Sequence, residues 1–415
     1  MAVPDKMLDG ITSDPATMGW MQGYPPPADK RIEAGKGNHM RFPHTRWSFS
    51  NMREFCPTVR VSRGEGPVTP LPVALRDDID ALPVTLDDGT RTTWAETLPL
   101  NFTDGILVLH RGALVYERYC GVTRPDSRHI AFSITKSFLG LIAEMLIAEG
   151  RLDPASTVAE HLPELAATGF AAATIRQVLD MTTAIDYSED YADARSGIGD
   201  FSLALALTPR PADYAGPGDM YAYLATLAAD GAHGKAFTYR TINTEVLGWI
   251  VSRIEGRRAH EAYAHRIWQP LGMEADADML VDPAGIPFTG GGLNPTLRDM
   301  ARFGEAMRND GRIGDAQLLP AAAIRAIKSG SAGEDATRSP HPSLTDLVYR
   351  SQWWFFTNGN PVLSARGIHG QAIYVDPAAE LVIARFASHP VAANIPNDPT
   401  TLAGFRALAA HLLRN

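Results

Sequence analysis

Apolar and polar positions divide the chain into a β-rich beginning, a helix-rich middle and a β-rich end. Ile106–His110 is an apolar run, Arg111-Gly112 a turn and Ala113–Cys120 a second β-rich run, which together predict a hairpin. Phe132-Ser133 then opens a helix reaching Gly150, with Leu139, Ile142, Ala143, Leu146 and Ile147 at helical spacing. From about residue 155 to 290 the pattern is Ala-rich and mostly helical, with helices expected over Ile175–Met181, Met220–Ala229, Thr244–Ile254 and Ala259–Trp268. A further helix, Leu297–Asn309, follows the run Gly290-Gly291-Gly292. Strands return at Gln371–Val375 and Leu381–Ala387, joined by a turn at Asp376-Pro377, and Leu402–Leu413 is a closing helix. The arrangement expected is an α/β (α+β) fold: one antiparallel sheet built from both ends, flanked by helices, with a helical insertion between. Residues 46–155 and 291–415 would form the α/β domain and 156–290 the helical one. Residues 1–45, with Pro25-Pro26-Pro27 in the middle, would form an arm over the surface without a core of its own.

Composition narrows the function classes. The 415 residues are 45% hydrophobic and 20% charged, an ordinary globular balance. A net charge of −9 argues against nucleic acid as a partner, since such binders carry a basic face. No apolar stretch of about 20 residues suggests a membrane span. The start, Met1 to Asp9, lacks a basic stretch followed by an apolar run, so cytoplasmic residence is expected. Cys56 and Cys120 read as two thiols, not a disulfide framework. His260 and His265 are five apart and diverge on a helix, so zinc is not expected there. No dinucleotide or phosphate-loop pattern occurs, and no cofactor or metal is called for.

The candidate chemistry is Ser133-Ile134-Thr135-Lys136. Residues three apart share a helix face, and a serine in the first turn feels the positive end of the helix dipole. A desolvated lysine one turn later can lose its proton near neutral pH and act as a base. Lysine is scarce: Lys6, Lys30, Lys36, Lys136, Lys235 and Lys328 are all there is. One placed at the start of a strongly apolar helix would be costly without a role. The G-x-S-x-G elbow is missing, because Ser329 stands where Gly330-Ser331-Ala332-Gly333 would need its first glycine.

Phe132–Gly150 resembles the first-motif helix of serine β-lactamases, DD-peptidases (penicillin-binding proteins) and related carboxylesterases. Pro270-Leu271-Gly272-Met273 and Gly291-Gly292-Leu293 with Arg298–Arg302 match further landmarks in order. Within that family, five pieces are similar to the 6-aminohexanoate-dimer (nylon-oligomer) hydrolases: Arg46–Phe49, Gln177–Met181, Ile185–Tyr191, Gln352-Trp353-Trp354 and Gly367–Gln371.

The resemblance implies Ser133 as nucleophile, Lys136 as its base and Tyr239 as the second-motif tyrosine. Thr241 then stands where most relatives carry Asn, and Asn243 comes two residues late. The third motif, on an edge strand, falls on Ala365-Arg366-Gly367. That makes the N–H groups of Ser133 and Ile368 the oxyanion donors. A rival register puts His369-Gly370-Gln371 there, with Ala372 as donor. Tyr191, Trp354, Tyr187 and His369 are the substrate-binding candidates, Trp354 as a wall for an acyl chain. A nearby Lys136 ammonium would favour the Tyr239 phenolate. Gly290 lacks the side chain expected where a nylon oligomer would be held.

The expected function is that of a serine hydrolase forming an acyl-enzyme on short carboxylic esters, with small linear amides such as 6-aminohexanoate oligomers as a second class. The expected partner is thus a small-molecule ester or amide, and a homodimer is open. A β-lactamase or DD-peptidase, and an inactive penicillin-binding-like sensor or binding module, stand as alternatives.

Overall fold

The computed structural model describes residues 8–330, 337–338, 347–357 and 361–414. Strand β1 (Thr103–His110) is buried at every position, because it runs between two neighbours with both faces covered. Hence its sequence is a continuous apolar run, with no alternation. It turns through Arg111 and Gly112, both at positive φ (53° and 79°), into β2 (Ala113–Tyr119). Two consecutive positive-φ residues make a turn whose twist matches a right-handed hairpin. The sheet continues with β3 (Thr337–Arg338), β4 (Leu347–Arg350), β5 (Trp353–Phe356), β6 (Val362–Gly367), β7 (Gln371–Asp376) and β8 (Leu381–Ala387). The strand order is β3-β4-β5-β6-β7-β8-β1-β2, antiparallel throughout. Both ends of the chain therefore meet at β8 and β1, where Ile383 lies opposite Val108.

Side chains alternate across this sheet. Leu107, Leu109, Ile373 and Val382 face helices α1 (Ile134–Ala148) and, later in the chain, α4 (Leu297–Arg308). Ile106, Val108, Val115 and Ile383 face the closing helix α5 (Asp398–Arg414) and the short helix Trp94–Leu100. Helix α1 is buried from Ile134 through Leu146 and is mostly apolar, with Lys136 and Glu144 as its two buried charged residues. Gly140 lets the chain cross it closely: a Cβ there would lie 2.2 Å from the Ser351 carbonyl oxygen. Gly150, at φ 69°, ends the turn that follows the helix.

Between α1 and α4 lie α2 (Gly197–Leu205) and α3 (Thr241–Glu255), with shorter helices. Their apolar residues join one hydrophobic cluster with α1 and one sheet face. Among the described residues no helix is long and apolar enough to cross a membrane.

Several expectations change. The strand carrying Ala365-Arg366-Gly367 lies inside the sheet, but β5 pairs only with its first half, Val362–Ser364, so these three residues have a strand partner on the β7 side alone. The aromatic run Trp353–Phe356 has no alternation to mark it, and the three-stranded sheet of 58–61, 277–280 and 293–294 joins pieces too short to show a period. The helix expected over 220–229 stops at Leu224. Trp20 and Ile32 are buried. Arg46, also buried, donates to Asp104 (2.6 Å) and to the Phe102 carbonyl (2.8 Å) beside β1.

Candidate active site

The site is built around the start of α1. Phe132 adopts φ 45°, a conformation uncommon for a bulky residue, immediately before Ser133. Ser133 takes the N-cap position but does not cap the helix. Instead its Oγ accepts a 2.8 Å hydrogen bond from Lys136 Nζ. Lys136 also donates to the Gly290 carbonyl, at 2.6 Å. Lys136 is 1% exposed, and among the described residues no carboxylate lies within ion-pair distance of it. Burial lowers its pKa below the ordinary lysine value, opposed by the charges of Glu189 and Glu245.

The glycine run passes alongside this helix start. Ala131 N–H donates to the Leu293 carbonyl (2.8 Å), and Leu293 N–H to Thr135 Oγ1 (3.1 Å). Gly290 has no room for a side chain: a Cβ would stand 2.5 Å from Thr241 Cγ2 and 2.6 Å from Glu245 Oε1.

Tyr239 precedes α3. Its ring stacks on Trp354 (centroids 5.6 Å apart, planes at 19°), and Lys136 Nζ lies 5.2 Å from its centroid. Burial and the negative charge of Glu189 push the phenol above its ordinary pKa, with the Ser133 hydroxyl acting the other way. The phenolate expected beside Lys136 is thus not favoured, first because the phenol is buried and then because Glu189 is close. Thr241 begins α3, and its N–H and hydroxyl both donate to Glu189, the former at 2.7 Å. A carboxylate at a helix N-terminus is favoured by the dipole. Tyr191 donates its hydroxyl to the same carboxylate, at 2.8 Å. Asn243, by contrast, is buried away from the site and accepts from Thr183.

A cavity of about 590 Å³ opens over Ser133. Phe132, Phe201, Leu205 and Phe288 give it apolar walls, Tyr191 and Glu189 a polar side, and Met40 a contribution from the start of the chain. Ile368 and His369 line its remaining edge, whereas Ala372 lies within β7, paired with Arg366 and Arg385. Gly367 makes this edge approach the nucleophile: a Cβ there would be 2.5 Å from the Ala131 carbonyl oxygen. Asn394 braces the turn, accepting from Gly370 N–H (2.8 Å) and donating to the Gly367 carbonyl (2.9 Å). His369 Nδ1 lies 2.7 Å from the His389 carbonyl, so that nitrogen carries the proton. Burial pushes the imidazole down to about 4, and it is neutral near pH 7.

Two sequence candidates fall elsewhere. Trp354 does not line this cavity; it supports the ring of Tyr239. Tyr187 faces a separate depression beside Asp186 and Ser196. Glu189 and Glu245 are the residues that sequence reasoning missed. Glu189 sits inside the Ile185–Tyr191 stretch, and Glu245 is a charge on an otherwise apolar helix face. Those two positions were the available signals.

Known proteins resemble this chain along most of its length. The Beta-lactamase family profile matches residues 103–403. The 6-aminohexanoate-dimer hydrolase of Paenarthrobacter ureafaciens is 37% identical over 350 residues, covering 84% of this chain and 86% of that protein. A Bacillus anthracis structure named for 6-aminohexanoate-dimer hydrolase superposes with a TM-score of 0.84 at 32% identity, covering 92% of this chain and 97% of that one. A penicillin-binding protein homolog from Caulobacter crescentus shares the fold at 18% identity (TM-score 0.58; 82% of this chain, 100% of that one).

Proposed function

We propose, since this chain belongs to the beta-lactamase family and is one of its hydrolases, that it cleaves short carboxylic esters through an acyl-enzyme on Ser133. One observation carries the assignment. Lys136 is fully buried, has no carboxylate partner among the described residues, and reaches the Ser133 oxygen at 2.8 Å. Burial disfavours its charge, so the neutral amine becomes accessible as a base.

In the first step Lys136 Nζ takes the Ser133 hydroxyl proton as Oγ bonds the substrate carbonyl carbon. The carbonyl oxygen becomes anionic and is held by the N–H groups of Ser133 and Ile368, two residues that both line the cavity. The ester C–O bond breaks, and the leaving alkoxide takes a proton from the Tyr239 phenol, which the Lys136 ammonium replaces. The raised phenol pKa supports this donor role. Water then attacks the acyl carbon, gives its proton to the base pair, and the acyl–Oγ bond breaks with return of a proton to Ser133.

The apolar walls suit an uncharged acyl chain. Tyr191 and His369 are among the polar residues that line the cavity, beside Glu189, Asp190, Ser202 and Thr208, and are the two we assign to substrate binding. The named activity of the Paenarthrobacter protein supports a second substrate class, small linear amides such as 6-aminohexanoate oligomers. Gly290 weighs toward esters, because no side chain at that position can reach into the cavity.

The test is hydrolysis of p-nitrophenyl butyrate and of the 6-aminohexanoate linear dimer, side by side, by the wild type and Ser133→Ala. Ester turnover lost in Ser133→Ala supports the assignment, and dimer cleavage adds the amide class. Equal activity of the two proteins, or none in either, overturns it and favours a binding module.

A further inference from the structure

The unexplained group nearest the reacting atoms is Glu245. It lies in the second turn of α3, 1% exposed. All its hydrogen-bond donors are neutral: Gly290 N–H to Oε1 (2.6 Å), and Thr289 N–H (3.2 Å) and hydroxyl (2.9 Å) to Oε2. A buried carboxylate without a cationic partner is costly, and burial raises its pKa. The contact is nonetheless built on both sides. Gly248, one turn further along α3, leaves space for Thr289, since a Cβ there would be 2.5 Å from Thr289 Oγ1. Gly290 leaves space for Glu245 itself. Two glycines thus admit one buried acid against one short segment, and that segment's Gly290 carbonyl is where Lys136 donates.

We propose that Glu245 is a positioning residue for Lys136, gripping Gly290 from behind so that the Gly290 carbonyl holds the amine against Ser133 while the carboxylate charge sets how readily that amine gives up its proton. The proposal rests on the reading of Lys136 as the base of a hydrolase. The direction is fixed by Coulomb's law: a negative Glu245 favours the ammonium, and its loss favours the neutral amine. The other groups facing the pair are few. Glu189 adds a second negative charge, and the ring of Tyr239 lies beneath the amine. Tyr263, whose hydroxyl donates to the Thr135 carbonyl (3.0 Å), and Tyr221 both sense the Glu245 charge as neutral phenols. Arg240, beyond Tyr239, is engaged with the Thr183 carbonyl and senses Glu189.

The experiment is the pH dependence of Ser133 labelling by a fluorophosphonate, which reads activation of the nucleophile without a substrate. In the wild type the rate should rise as Lys136 loses its proton. In Glu245→Gln, which keeps the shape and removes the charge, the midpoint should move down by about one pH unit. Thr289→Val keeps the carboxylate but removes a donor that stabilises its anion. Glu245 then holds its proton more tightly, and the midpoint should move the same way by less. A Glu245→Gln protein with a lowered melting temperature and an unmoved midpoint would show a purely structural role and overturn the proposal. Should that variant fail to fold, an unmoved midpoint in Thr289→Val overturns it equally. Absence of any Ser133 labelling in the wild type is a different failure, since it removes the hydrolase reading beneath.

Discussion

Ser133 and Lys136 sit one turn apart on a single interior helix, whereas the walls above them come from segments far apart in the chain: Met40, Tyr191, Phe201, Phe288 and His369. The floor of the cavity is regular and buried, and the rim joins one face of α2 to loops, turns and the short 3-10 turn that carries Met40. Reacting atoms need fixed geometry, which an interior helix clamped by the 290–293 segment provides. Substrate shape can be changed at rim positions away from that clamp, such as Phe201 and Tyr191. The floor is thus expected to be intolerant of substitution and the rim adjustable.

The strongest way to break this contrast is Ser133→Ala. Ester kcat/KM should fall by about 10⁴-fold or more with the fold intact by circular dichroism. Lys136→Met fills the same space without charge. It should cost about 10³-fold in kcat, and its melting temperature should not fall, because a buried amine is exchanged for an apolar chain. Retained activity in either variant would remove the floor from the comparison. Lys136 also fixes the sign of the pH profile. The neutral amine is the active form, so activity is lost as pH falls, and burial places that limb below the ordinary lysine value of 10.5. A limb at or above the ordinary lysine range would contradict a desolvated base. Tyr239→Phe should lose about 10²-fold in kcat with little change in KM, and more with a poor leaving group than with p-nitrophenolate. At the rim, Phe201→Ala should reduce kcat/KM for a p-nitrophenyl hexanoate about tenfold relative to the acetate, chiefly through KM. An equal loss for both esters would mean that Phe201 serves the floor.

The floor was also the more legible half. An apolar run opened by a serine, with a lysine one turn on, carries its own physical contradiction, and burial of Lys136 resolves it. The sheet assembled from both ends followed from Ile106–Cys120 and Gln371–Ala387 by the same logic. The rim, and the buried charges around the floor, did not follow. Glu189 and Glu245 are charged, and charge in a sequence reads as solvent exposure until a helix N-terminus or a pair of backbone N–H groups is found to receive it. For Tyr239 the sequence showed the nearby cation, but neither the burial that chiefly raises the phenol pKa nor the Glu189 charge that adds to it. Trp354 and Tyr187 were placed by likeness to neighbouring motifs, and β4–β6 hide in runs whose two faces are both covered. Gly290 was noted as a missing side chain. Only the surrounding atoms show that none fits.

The shared hydrophobic cluster has a thermal meaning. It joins α1, one face of the sheet and the helices between residues 158 and 288 without a break. The floor therefore has no seam along which it could part from the helical stretch before the whole molecule lets go. The cluster is therefore expected to melt as one unit. Turnover and tertiary signal should disappear at one temperature, leaving no partly folded form that still cuts ester.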